Sequence, residues 1–123
     1  DIKNLIDVYN PACITLQETF LKPTHTATIR KFSHIRKDNI IGNKACGGVS
    51  LLISNSYPFS SINLQTNLQA VAAQITITSL ITFCSVYLPP NEHISQLDID
   101  NLINQLPVPY VLLGDFNGHN TIW

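Results

Sequence analysis

The sequence predicts an α/β fold built on mixed β-sheets, in place of a doubly wound parallel sheet. Three observations lead there. Apolar residues make up 45% of the 123 residues and charged ones only 12%. The usual charged share is about a quarter, so this chain collapses around a core and is not disordered. About six stretches carry the short apolar or alternating pattern of strands, and two carry helical spacing. Two of the strands follow each other with no helix between them, whereas strict alternation of strand and helix would predict a parallel sheet.

The elements follow in order. Ile2, Leu5, Ile6 and Tyr9 recur at helical spacing over residues 1–9, and Pro11 stops that helix. Residues 12–17 form an apolar strand that ends at Glu18. Residues 20–28, with Pro23 and several threonines, read as a loop. Residues 29–36 alternate impurely, with Ile29, Lys31, Ser33 and Ile35 on one side and Arg30, Phe32, His34 and Arg36 on the other. Residues 38–46 are a polar loop. Gly47-Gly48 then opens a strand over 49–53, and residues 55–59 turn at Pro58. Residues 70–77 and 80–87 are β-branched and apolar, and Thr78-Ser79 joins them as a hairpin without the preferred Asn-Gly. Pro89-Pro90 ends the second of them. Ile94, Leu97, Leu102, Ile103 and Leu106 give a second helix over 92–106, closed by Pro107 and Pro109. The run Val108 to Leu112 reads as a buried strand leading into Gly114.

Bulk properties narrow the function. The length suits one small domain without internal repeats. A net charge of -1 provides no global basic field, so any binding of nucleic acid must come from local placement. No apolar run approaches the roughly 18 residues of a membrane span, and no signal peptide is visible. We therefore expect no membrane partner and an intracellular setting, cytoplasmic and nuclear. Cys13, Cys46 and Cys84 are odd in number and widely spaced, which predicts neither a zinc site nor a disulfide framework. Cys13 and Cys84 sit in apolar runs and read as buried thiols, which favours a reducing compartment. The chain starts at Asp1 and stops at Trp123, directly after its densest motif, so we expect a fragment.

That motif is Leu113-Gly114-Asp115-Phe116-Asn117. A strand ending in Gly-Asp-x-Asn delivers a carboxylate and an amide to a sheet edge, on one face, two residues apart. Asp115 would position or deprotonate a water, and Asn117 would donate to a phosphoryl oxygen as charge builds. The alternative is a polar turn, where these residue types are common. Leu16-Gln17-Glu18-Thr19 is a second strand ending in a carboxylate. Glu18 suits Mg²⁺, which takes few protein carboxylates and completes its shell with water and phosphate. It also suits a solvated strand end. Tyr87, at the end of its strand, would give a phenol to a scissile phosphate or stand as an aromatic rim residue. His119, two residues after Asn117, would serve as a base or as a loop residue beside the site. His25, His34 and His93 have no motif around them and default to the surface. Arg30, Lys31, His34, Arg36 and Lys37 form the one basic cluster, either a phosphate track or a charged edge strand. Gly47-Gly48 lacks the spacing of a phosphate cradle, and close backbone approach explains it better.

Taken in order, Leu16-Gln17-Glu18-Thr19, Gly47-Gly48-Val49, Val86-Tyr87-Leu88-Pro89-Pro90-Asn91 and Gly114-Asp115-Phe116-Asn117 resemble the endonuclease/exonuclease/phosphatase family. The stretch from Gly114 through Gly118-His119-Asn120 to Trp123 is similar, more narrowly, to the endonuclease domain of non-LTR retrotransposons, the apurinic/apyrimidinic-endonuclease-like branch. The resemblance implies a partial four-layer α/β sandwich, with mixed β-sheets flanked by helices, and a single incomplete domain over 1–123. It implies metal-dependent phosphodiester cleavage, a nick in target DNA that primes reverse transcription. Glu18 would bind Mg²⁺ (or Mn²⁺), Tyr87 would contact the scissile phosphate, and Asp115 would align or activate the attacking water. Asn117 would stabilise phosphoryl oxygens, with His119 near the substrate. The family also carries a metal-site asparagine on a first strand and a Ser-Asp-His strand near its end. A complete domain of this kind runs to about 200 residues or more. The expected parent carries a reverse transcriptase C-terminal to this domain, and these 123 residues alone are expected to be inactive or nearly so. Two rivals remain: a phosphodiesterase of the same superfamily acting on lipid head groups or inositol phosphates, and a non-enzymatic truncated remnant.

Overall fold

The computed structural model describes residues 2–90 and 92–116. Their architecture is an α/β sandwich of stacked sheets flanked by helices. The first sheet has the order β1 (Cys13–Gln17), β5 (Val49–Ser54), β2 (Phe32–Lys37), all antiparallel. The second has the order β6 (Phe59–Ile62), β7 (Gln69–Thr76), β8 (Leu80–Tyr87), β9 (Tyr110–Asp115). Its first three strands are antiparallel, and β9 runs parallel to β8. Parallel neighbours need a crossover, and α2 (Gln96–Asn104) provides it.

Side-chain alternation explains the layering. Val49, Leu51 and Ile53 of β5 meet Val71, Ala73, Ile75 and Tyr87 of the second sheet to form one core between the sheets. The alternate residues of that sheet, Ala70, Ala72, Cys84 and Val86, turn the other way and pack with Leu102 and Leu106 around α2. A period of two thus makes the second sheet apolar on both faces. The start of α2 is decided by a capping box: Ser95 Oγ accepts from Asp98 N at 3.1 Å, and Ser95 N donates to Asp98 Oδ2 at 3.3 Å. Ile94, expected inside the helix, therefore precedes it and is buried beside it.

α1 (Ile2–Tyr9) lies by the outer face of the first sheet, where Ile2 shares a cavity of about 600 Å³ with Leu16, His34, Ser50 and Leu52. It is loosely seated, with Leu5, Val8 and Tyr9 more than half exposed.

Several local expectations change. The 38–46 loop contains a small hairpin, β3 (Ile40–Ile41) with β4 (Lys44–Ala45). Strand β6 follows Pro58, where only a turn was expected. The run at 108–112 is not buried: Val108 is 81% exposed, and Tyr110, Val111 and Leu113 remain partly open because β9 lies at the edge of its sheet among the described residues. Cys84 is fully buried, which pushes its thiol up to about 12, but Cys13 is only half-buried. No helix among the described residues is long and apolar enough to cross a membrane.

Candidate active site

The C-terminal ends of β1, β8 and β9 meet at one end of the sandwich. Across the two sheets, Gln17 Nε2 donates to Ser85 Oγ at 3.2 Å, and Ser85 Oγ reaches Leu16 O at 3.5 Å. Ser85 and Tyr87 share the inner face of β8, so Tyr87 projects toward the residue after Gln17. That residue is Glu18, and Tyr87 Oη donates to Glu18 Oε1 at 3.0 Å. In the parallel ladder Tyr87 is opposite Asp115, and Leu88 N donates to Asp115 O at 3.0 Å. Register partners share a face, which sets the Asp115 side chain on the side of Tyr87.

The phenol reports its neighbours. Burial first, then the hydrogen bond to Glu18, and then the charges of Glu18, Asp115 and Glu92, push the Tyr87 hydroxyl above the usual tyrosine range. The ring is 7% exposed, with Glu18 accepting from its hydroxyl, Asp115 opposite it in the ladder and Glu92 lining the same cavity. Glu92 had no place in the sequence reading. Its signal was an acid soon after the Pro89-Pro90 pair that follows Tyr87. Glu18, Glu92 and Tyr87 line a cavity of about 410 Å³, together with Phe20, Ile41, Lys44 and Gln69.

Two glycines hold the Glu18 loop. Glu18 and Phe20 both have left-handed backbone, with φ of 54° and 53°. Thr19 N and Phe20 N donate to the carbonyls of Gly48 at 3.3 Å and Gly47 at 2.7 Å. A Cβ on Gly47 would sit 2.6 Å from Gln69 Oε1, and one on Gly48 would sit 2.5 Å from Thr19 Oγ1. Close approach is therefore the role of this pair. At Gly114 a Cβ would overlap the carbonyl of Val86, so only glycine lets β9 lie against β8 here.

The basic cluster is largely committed inside the molecule. Arg36 donates to Lys22 O at 3.1 Å and His25 O at 2.6 Å, and pairs with Asp38 at 3.4 Å. Lys37 Nζ donates to Thr66 O and Leu68 O at 3.0 and 2.7 Å, and burial lowers its pKa. His34, expected at the surface, is half-buried and bonds Ser50 Oγ at 2.6 Å and Ala27 O at 3.0 Å. These bonds tie the 20–30 loop and residues 66–68 to β2, which leaves Arg30 and Lys31 as the exposed members.

Of the expected site residues, Glu18, Tyr87 and Asp115 come to one end of the fold. Asn117 and His119 lie outside the described residues. No group of three or more His, Cys, Asp or Glu among the described residues is arranged to hold a metal ion.

A model of the endonuclease-reverse transcriptase family matches residues 81–123, from β8 through the Gly114-Asp115-Phe116-Asn117 motif. A Drosophila melanogaster protein named "Probable RNA-directed DNA polymerase from transposon X-element" is 26% identical over 113 residues. The chain resembles the endonuclease part of a non-LTR retrotransposon. The alignment takes in 89% of this endonuclease-like chain but 12% of the relative, so the chain spans a small part of the curated protein it matches.

Proposed function

We propose that this endonuclease-like chain belongs to a protein that cleaves a DNA phosphodiester with the help of a divalent cation, nicking target DNA for a non-LTR retroelement. The observation that carries the reading is the Tyr87–Glu18 hydrogen bond, with Asp115 opposite Tyr87 in the ladder. It joins a phenol to one strand-end carboxylate and lays a second on the neighbouring strand, which suits a phosphate, its cation and its attacking water.

The donor set fits Mg²⁺ or Mn²⁺ sparingly bound: one or two carboxylates, with water and phosphate oxygens completing the shell. Glu18 would hold the cation, which when bound neutralises charge developing on the phosphate. Asp115 positions a water and accepts its proton. With Glu18 turned to the cation, the single phenol proton of Tyr87 would pass from Glu18 to a non-bridging oxygen of the phosphate, and Asn117 is assigned a second donation. His119 is assigned to substrate contact. In a longer polypeptide such as the Drosophila relative, a reverse transcriptase would use the nick as its primer.

The test is plasmid nicking by a longer protein that includes the flanking reading frame, compared with its Glu18→Ala and Asp115→Ala variants. Both variants are expected to lose most activity. Unchanged nicking in either would end the assignment. Turnover of phospholipid head groups in preference to supercoiled DNA would favour the lipid-directed rival. DNA affinity that persists in chelator without turnover in the longer protein would favour the non-enzymatic one.

A further inference from the structure

Arg30 and Lys31, the exposed members of the basic cluster, share a hollow with a third cation. Together with Lys3 of α1 they line a cavity of about 390 Å³, alongside Ile6, Asp7 and Ile29. All three cations are exposed, and no side-chain hydrogen bond or ion pair joins them to another described residue. Three of the seven Lys and Arg of a chain with net charge -1 thus line one hollow, against a single acid, Asp7, among its lining residues. A charged edge would account for Arg30 and Lys31 by themselves, since β2 is an edge strand among the described residues. The backbone argues for more than that. Phe32 N donates to Ile29 O at 3.1 Å and Lys31 has a φ of 70°, as in a type II turn, whose third residue is ordinarily glycine. Asn55 N donates to Lys31 O at 2.8 Å, and Ser33 Oγ donates to Asn55 Oδ1 at 2.8 Å, so the turn is fixed in place. A glycine would make this turn without strain. A lysine kept in it, with its ammonium left in water, points to a ligand.

This hollow is at the far end of the first sheet from the candidate active site. Gln17 and Lys37 pair with Val49, whereas Phe32 pairs with Ser54. β5 runs from one end to the other, roughly 17 Å at about 3.3 Å per residue. That is about twice the Debye length at physiological salt, so these cations are screened from a phosphate at Glu18 and need an anion of their own. Guanidinium and ammonium groups around one hollow suit phosphate oxygens, and Arg30 can bind two of them at once. The half-buried Ile6 and Ile29 give an apolar wall for a sugar to lie against. A duplex is too wide to enter, whereas one nucleotide of a single strand fits. We propose that Lys3, Arg30 and Lys31 hold the phosphate backbone of single-stranded nucleic acid, at a site separate from the phosphodiester that is cut. Contacts to phosphate position a strand without reading it, so the site has no sequence preference.

The test is binding in chelator, where nothing is cleaved. The 123-residue chain is titrated against labelled oligothymidylate and oligouridylate over a range of salt, and fluorescence anisotropy gives each affinity. Log affinity is expected to fall with log salt at a slope of about -2, from three cations at about 0.7 each on a single strand. Arg30→Glu combined with Lys31→Glu should weaken binding about tenfold or more and flatten the slope to about -0.7 or less. Lys3→Glu, on the helix, should weaken it as well, which separates the charge from any change in the turn. Lys31→Gly removes one cation and relieves the backbone, so the melting temperature should hold or rise while affinity falls. Binding of either oligonucleotide through these cations supports the proposal, and the tighter of the two names the source of the strand. An unchanged slope in the double variant, wild-type affinity in Lys31→Gly, or tighter binding to phosphatidylserine vesicles or polyglutamate than to both oligonucleotides overturns it. Cleavage is not read, so failure here leaves the nicking test of Glu18→Ala and Asp115→Ala standing, and failure there leaves this one.

Discussion

Tyr87 Oη donates to Glu18 Oε1 across 69 positions of the chain. The bond orients a carboxylate that otherwise lies exposed on a left-handed turn. Tyr87→Phe keeps the ring that packs between the sheets and removes only the donor. In the longer protein, nicking by this variant is expected to fall by about 10²–10³, the range for loss of one donor aimed at developing charge. Its melting temperature should stay near that of wild type. Wild-type nicking by Tyr87→Phe would show the phenol to be a packing residue alone.

The same phenol makes stability fall at high pH. Its folded pKa is raised above the unfolded value of 10.0. Between the two, the unfolded chain has released a proton that the folded chain still holds, so stability decreases as pH rises. The contribution is full below the unfolded pKa and is lost as pH climbs through the folded one. Denaturant melts should show wild type losing stability faster than Tyr87→Phe once the pH passes 10.0. Parallel curves for the two proteins would contradict this.

Gly114→Ala tests how closely β9 must lie against β8. The added methyl meets the Val86 carbonyl, a backbone atom that cannot swing away. Displacing the strand is expected to cost about 1–3 kcal/mol, as overpacking does. Gly48→Ala should cost a similar amount, because φ is 97° there and Thr19 Oγ1 blocks the space. Urea melts of both variants measure it, and an unchanged midpoint in either removes the close-approach argument at that position.

Cleavage is expected to need both the cation and the rest of the family's residues. Chelator should abolish nicking by the longer protein, and added Mg²⁺ or Mn²⁺ should restore it. The 123 residues alone contain no Ser-Asp-His. Residues that act as one catalytic unit are strongly non-additive, so the purified stretch should show almost no turnover. Metal-dependent nicking by it at the rate of the longer protein would refute this.

The open edge of β9 should make the isolated chain associate. Tyr110, Val111 and Leu113 are each over a third exposed on a strand that has β8 as its only neighbour among the described residues. Unpaired apolar edges template further pairing, and an edge lysine blocks it. Light scattering should rise with concentration for wild type and much less for Leu113→Lys. Equal scattering would place the contact elsewhere.

Some of this architecture was legible in the residues themselves. β5 and the β7–β8 hairpin announce themselves as β-branched runs, and both helices through their spacing. β3 and β4 are two residues each, too short to carry a period. β6, Phe59-Ser60-Ser61-Ile62, is too polar to look like a strand, because it lies on a sheet edge with three of four residues exposed. The apolar run before Gly114 cannot say whether its strand is central or at an edge, since both need the same β-formers. Arg36, Lys37 and His34 read as a phosphate track or a charged edge strand because their carbonyl and hydroxyl partners lie in distant segments.

Residue type and local period alone determined that Glu18, Tyr87 and Asp115 each stand at or just past the end of a strand. They also set which face of its strand Tyr87 and Asp115 take, whereas Glu18 sits past its strand on a left-handed turn. The order of the strands and the stacking of one sheet on the other decided that the three ends coincide, and brought Glu92, Phe20 and Ile41 to the same cavity. A strand's alternation is encoded over a few residues, but its neighbours are chosen by which faces bury the most apolar surface together. That choice belongs to the folded core between Leu51 and Val71, not to any single motif.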